Sequence, residues 1–236
     1  MKAITLWQPP ATLVAKDLKH YETRPWQPGY RGPIAIHAAK ALPRQGWCRE
    51  KLDDKIFREV VFGGEEVPTG VILAVTTIEE VTLITTDNVP GWPERSFGDY
   101  TPGRYMWRLG RPTLLVEPIP ARGLQGLWEW KPKCQSPGCA ADAFLCELYD
   151  DKDNRDLGWF YCPEHAAQNG FCSCCGNFYS GTSEMERWSG KGAWYCDNCR
   201  GDNGDLDEYD EELDLWADYP GDLLPGNIDF NLVEMS

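Results

Sequence analysis

A chain of 236 residues has room for one ordinary domain and a small companion, and 42% hydrophobic content with 11 Trp is ample for a packed core. The longest apolar run, Gly70 to Val75, falls far short of the roughly 20 residues of a membrane helix. The apolar start is broken at Gln8-Pro9-Pro10, so we expect no signal peptide, no membrane partner and a cytoplasmic protein.

The net charge of -14 is unevenly distributed, because residues 1–133 carry 18 Lys and Arg against 15 Asp and Glu, whereas residues 201–236 carry 12 acids and no base. Phosphate contacts need cations, so the overall acidity argues against a nucleic-acid partner only for the C-terminal third. Nine of the 10 cysteines lie between Cys134 and Cys199, in close pairs with a histidine among them, and Cys48 is the outlier. That pattern favours metal over disulfides.

In chain order, Met1 to Trp7 reads as a first strand, stopped by Pro9 and Pro10. Leu13, Val14 and Leu18 fall at helical spacing, which predicts a short helix over 11–18 with Pro10 tolerated at its start. Lys19 to Arg24 leaves it as an extended segment, Pro28-Gly29 turns, and Pro33 to Ala38 is an apolar run fit for a buried strand. Trp47 to Val61, with Leu52, Ile56, Phe57 and Val60, predicts one amphipathic surface helix. Thr69 to Ile84 has the Val, Ile and Thr content of one bent strand or two. A Pro- and Gly-rich loop over 87–103 precedes strands at 104–109 and 113–116, and 127–130 closes the domain. The sum is an α+β fold built on a small, curled, barrel-like mixed sheet.

Five ordered motifs carry a family resemblance: L-W-Q-P-P-A-T-L-V-A, K-H-Y-E-T-R-P-W, R-G-P-I-A-I-H-A, F-G-D-Y-T-P-G-R-Y-M-W and G-L-Q-G-L-W-E-W. Over about residues 1–130 the chain resembles the ASCH domain. The resemblance implies a PUA-like β-barrel whose cleft is lined by the lysine, glutamate and arginine of a K-x-x-E-x-R motif, here Lys19, Glu22 and Arg24. It also implies RNA or DNA binding, with hydrolysis of acetylated cytidine or of RNA in a few relatives. Two positions depart from the pattern. Pro10 stands where many relatives have tryptophan, and Glu22 stands where the amidohydrolase branch has a threonine.

Lys19 and Glu22 admit two readings. A partly buried lysine can serve as base or nucleophile with the carboxylate relaying protons, which makes Lys19 and Glu22 candidate catalytic residues. Alternatively the two form an ion pair that fixes the cleft wall. A base-reading cleft needs hydrogen-bonding groups and aromatic faces, for which the candidates are Trp7, Lys19, Tyr21, Glu22, Arg24, Trp26, Arg31, His37, Asp99, Tyr100 and Arg104. Among these, a lone histidine in an apolar strand is more often a core residue, and Asp99 can equally cap a turn.

Four ligand pairs follow: Cys134/Cys139, Cys162/His165, Cys172/Cys175 and Cys196/Cys199. Eight soft ligands suit two structural Zn2+ ions, with no position left for a catalytic water. Sequential pairing gives a three-cysteine, one-histidine site and a four-cysteine site. A cross-brace would interleave them, but the six residues between His165 and Cys172 favour the sequential arrangement. Glycine after Cys175 suits a tight knuckle.

The expected organisation is therefore an ASCH domain over 1–131, a two-zinc module over 132–200 and an acidic, flexible tail over 201–236. The expected function is binding of RNA, DNA or a modified base. Its rivals are a nucleoside or RNA hydrolase using Lys19 and Glu22, of the N4-acetylcytidine amidohydrolase or ribonuclease type, and a protein-interaction adaptor acting through the zinc module and the acidic tail, which would meet a basic protein partner.

Overall fold

The computed structural model describes residues 1–179, 185–187, 194–196 and Cys199; the acidic segment 201–236 lies outside the described residues. The fold is sheet-dominated α+β. The chain divides into two compact units, Met1–Lys131 with Tyr149–Trp159, and Pro132–Leu148 with Phe160–Ser236. No helix among the described residues is long and apolar enough to cross a membrane.

In the first unit, β1 (Lys2–Leu6) pairs in parallel with β3 (Gly32–Ala38) and antiparallel with β7 (Leu127–Glu129). β3 pairs antiparallel with β4 (Val71–Leu83), which is one bent strand as its composition allowed. β5 (Tyr105–Leu109) and β6 (Thr113–Pro120) run in line along the other edge of β4, β5 against Ile78 to Leu83 and β6 against Val71 to Val75. The register of β4 shifts between Ile78 and Glu80 against β5 and between Ile72 and Ala74 against β6, and such bulges bend a strand and raise its twist. Between the two partners, Gly110 is held to β4 through its N–H to the Thr77 carbonyl and its carbonyl to the Thr76 hydroxyl. β2 (Tyr21–Arg24) completes the ladder on β5, with Glu22 opposite Trp107.

The pairing of β1 with β7 stops at Ile4 and Leu127. One residue on, the Thr5 carbonyl accepts a 3.2 Å hydrogen bond from Arg24 Nη2, so a side chain links β2, at one end of the ladder, to β1 near the other. The sheet curls around Ile4, Leu6, Ile34, Ile36, Ala74, Ile78 and Trp107, all nearly solvent-free.

Helix α1 (Pro10–Ala15) is shorter than the expected 11–18, and its buried residues include Ala11, Leu13 and Val14. Gln8, fully buried, accepts from the Thr12 N–H at 3.2 Å and donates to the Pro68 carbonyl at 2.8 Å, supplying the acceptor a helix start needs. The single helix expected over 47–61 is two helices, α2 (Trp47–Asp53) and α3 (Lys55–Phe62). Asp54 breaks them: its backbone is extended, and its carboxylate caps α3 by accepting from the N–H of Ile56 at 3.0 Å and of Phe57 at 3.1 Å. The break rotates the apolar face, so Val61 and Phe62 are buried with Leu52 while Ile56 and Val60 face water.

In the second unit the described elements are parts of β8 (Phe144–Asp150) and β9 (Arg155–Tyr161), then α4 (Pro163–Gln168) and an antiparallel pair, β10 (Met185–Arg187) with β11 (Trp194–Cys196). The tip of the β8–β9 hairpin belongs to the first unit, where β9 pairs in parallel with β6 from Thr113 to Leu115. Among the described residues of this unit, Cys146, Phe160, Ala166 and Phe171 are buried.

Candidate functional site

Lys19 follows α1 through a turn in which the N–H groups of Leu18 and Lys19 both bond the Leu13 carbonyl. The turn buries the lysine to 2% exposure. Its ammonium donates to the Tyr21 carbonyl and stands 3.6 Å from the Glu94 carboxylate. Glu94 is therefore the direct partner, where the sequence suggested Glu22. Glu22 instead meets Arg24 at 2.8 Å, two residues along the same strand face, and acts on Lys19 through its charge. Burial holds the Lys19 pKa below its ordinary value, and Glu22 and Glu94 oppose that shift.

Glu94 lies in a 3-10 turn (Glu94–Phe97) inside the loop the sequence marked as rich in Pro and Gly. Its oxygens accept from the His20 N–H at 2.8 Å, the Tyr21 N–H at 3.3 Å and the Tyr100 hydroxyl at 2.6 Å. One carboxylate thus ties the loop to the start of β2. The Tyr100 hydroxyl is pushed far above its usual pKa by burial and by this same carboxylate, so it stays a donor. Its ring lies 5.6 Å from Lys19 Nζ.

Gly98 covers the group. A Cβ there would come within 3.1 Å of Lys19 Nζ, 3.1 Å of Tyr100 Cε2 and 3.6 Å of Thr23 Oγ1, yet Gly98 itself is exposed. Lys19, Thr23 and Tyr100 consequently meet beneath one glycine at the surface. Cys48, on α2, also feels the charges of Glu22 and Lys19, and burial with Glu22 raises its thiol pKa.

The other expected cleft residues are held as follows. Arg104 donates to the Thr23 carbonyl at 3.1 Å and pairs with Asp99 at 3.3 Å, while Asp99 accepts from Thr101 and caps its own turn. Tyr21 is half-buried and Trp7 is 50% exposed. Trp26 packs edge-on against Trp107 at 4.8 Å. Arg31 donates to the carbonyls of Pro28 and Tyr30 in its own turn. His37 is a core residue: it is 1% exposed, its Nε2 lies 3.0 Å from the Ala121 carbonyl, and Trp128 meets its ring edge-on. Glu94, Thr23 and Gly98 were not singled out from the sequence. Glu94 belongs to a Pro- and Gly-rich loop that gave the only hint, since such loops often carry function.

The second unit gathers eight ligands into two groups, Cys134, Cys139, Cys162 and His165, and Cys172, Cys175, Cys196 and Cys199, with the ligand atoms of each within 4.8 Å of one another. Both groups could hold a metal ion, and the pairing is sequential. In the first, His165 Nδ1 lies 3.5 Å from Cys134 Sγ and 3.1 Å from Cys162 Sγ, with α4 presenting the histidine one turn after Cys162. In the second, Cys172 Sγ accepts from the N–H groups of Cys174 and Cys196, and the chain turns at Gly176 with φ +76°. A Cβ at Gly176 would lie 2.2 Å from the Leu145 carbonyl oxygen, so only glycine fits this knuckle.

Compared with known proteins, the chain has no match among curated proteins. Residues 4–95, from β1 to the Glu94 turn, match the family model of the ASCH domain. This stretch is therefore similar to the ASCH domain, and a Cys/His region able to hold metal ions follows it.

Proposed function

We propose that the ASCH domain binds RNA, with one base or modified base read at Lys19, and that two structural zinc ions hold the second unit. The observation that supports the first part is the buried Lys19 ammonium beneath Gly98. It has three donors; the Tyr21 carbonyl and Glu94 occupy two, and on this reading the third meets a base carbonyl once a ligand displaces the cover beneath Gly98. Glu94 has its oxygens filled by protein donors and serves as the anchor, while the Thr23 hydroxyl and the Glu22–Arg24 pair supply further polar edges. The domain selects its base and takes RNA over DNA, and the chain is organised as residues 1–131, 132–200 and 201–236.

Zinc is favoured by donor chemistry and spacing. A tetrahedral ion with Zn–S bonds of roughly 2.3 Å sets its sulfurs about 3.8 Å apart and an imidazole nitrogen about 3.5 Å from sulfur. The Cys175–Cys196 separation is 3.8 Å and Cys134–His165 is 3.5 Å. Four protein ligands per ion leave no open position, so the metal folds the unit and catalyses nothing.

One observation favours a second reading, catalysis by the cleft. Burial lowers the pKa of Lys19, which is what a base or nucleophile requires, and the carboxylates of Glu94 and Glu22 are near. Incubation with N4-acetylcytidine and with a mixed-sequence RNA separates the two. Binding weakened by Lys19→Ala without product supports the reader; turnover abolished by Lys19→Ala overturns it in favour of the hydrolase.

A further inference from the structure

Trp92 is 87% exposed, more than Ile56 at 77%, Val60 at 74% or Trp7 at 50%. A tryptophan offers 150–250 Å² for burial and is an expensive side chain to leave in water. Its backbone is nevertheless fixed. The Arg95 N–H bonds the Gly91 carbonyl at 3.0 Å, and the Ser96 N–H and hydroxyl bond the Pro93 carbonyl at 2.9 and 2.6 Å. Two residues on, Glu94 is tied to His20, Tyr21 and Tyr100. Two residues of chain span at most about 7 Å, so the Trp92 Cα stays within that distance of the Cα of Lys19's anchor.

We infer that Trp92 is a stacking platform for the nucleobase next to the one read at Lys19, so that the domain takes a single strand of at least two nucleotides in preference to a free nucleoside. The inference rests on the reading of the cleft given above. An indole face held in water on a fixed turn is preorganised for stacking, and splayed single-stranded bases present the faces it needs. Arg95, exposed in the same turn, adds a cation for the strand's phosphates. A duplex keeps its bases stacked on one another and cannot offer them to Trp92.

The test uses the full chain with zinc bound, a labelled ten-nucleotide mixed-sequence single-stranded RNA, its duplex, and the free nucleosides. Stacking on one base is worth roughly a 5- to 150-fold change in affinity. We expect Trp92→Ala to weaken strand binding within that range, Trp92→Phe to retain most of it, and nucleoside binding to be unchanged by either. Unchanged strand affinity in Trp92→Ala overturns the platform while leaving the cleft reading intact, as does an equal loss for strand and nucleoside. Failure of the unmutated protein to bind any strand or nucleoside overturns the cleft reading itself. Tighter binding to duplex than to strand also overturns the platform.

Discussion

Lys19 and Glu94 stand 75 positions apart in the sequence and 3.6 Å apart in the fold, both nearly buried. Glu94 also receives two backbone N–H groups and the Tyr100 hydroxyl, so it ties its loop to the start of β2 and balances the lysine at once. Glu94→Gln turns one acceptor into a donor facing donors and removes the charge opposite Lys19. We expect a loss of about 1–3 kcal/mol, measured by denaturant unfolding followed through tryptophan fluorescence. Lys19→Met fills similar volume without a charge and should cost less.

The pH dependence follows from two groups. Lys19 is held below its ordinary value of 10.5, so between its folded pKa and 10.5 the unfolded chain binds more protons than the folded one. Stability from this group therefore rises with pH through that window. Tyr100 is held above its ordinary value of 10.0, so its contribution is present below pH 10 and is lost as pH rises further. Just below pH 10, unfolding midpoints should rise less steeply with pH in Lys19→Met than in the unmutated chain. Parallel slopes would contradict the buried, depressed lysine.

Zinc content distinguishes ligands from bystanders. We expect two ions per chain by elemental analysis, one remaining in Cys139→Ser or in Cys199→Ser, and two remaining in Cys48→Ser, Cys146→Ser and Cys174→Ser. Removal of metal by a strong chelator should unfold the second unit, because structural zinc supplies roughly 10–16 kcal/mol to such modules.

Gly176→Ala tests the knuckle. Left-handed backbone costs a side chain about 1–2 kcal/mol, and here the added methyl also meets the Leu145 carbonyl. Loss of zinc to a competing indicator should be faster from this variant, with the four cysteines of the second site affected first.

Gly98→Ala separates binding from stability. Gly98 has φ -160°, an extended conformation open to any residue, so the backbone is unstrained. The new methyl would crowd Lys19 Nζ and Tyr100 at 3.1 Å. We expect at least tenfold weaker RNA binding with unfolding free energy changed by less than about 1 kcal/mol. Unaltered affinity would count against ligand access at this point.

Several features were set by local chemistry and could be read from the chain alone. Cys and His spacing picks out eight ligands because a metal knuckle needs donors a few residues apart with a glycine to turn on. The apolar run at 33–38 reads as a buried strand, and the three ASCH-like motifs between Leu6 and Ala38, each built from residues close together in sequence, fall within the family match. Other features required the fold. Asp54 could continue a helix or cap one, and only packing of Leu52, Val61 and Phe62 selected the cap. His37 could be ligand or core, and only the Ala121 carbonyl and Trp128 decided for core. The partner of Lys19 was the hardest to foresee, because a carboxylate three residues away is always visible whereas one 75 residues away arrives only when a loop folds back. A buried ammonium takes whichever acceptors the tertiary structure brings to it, and here they were the Tyr21 carbonyl and Glu94.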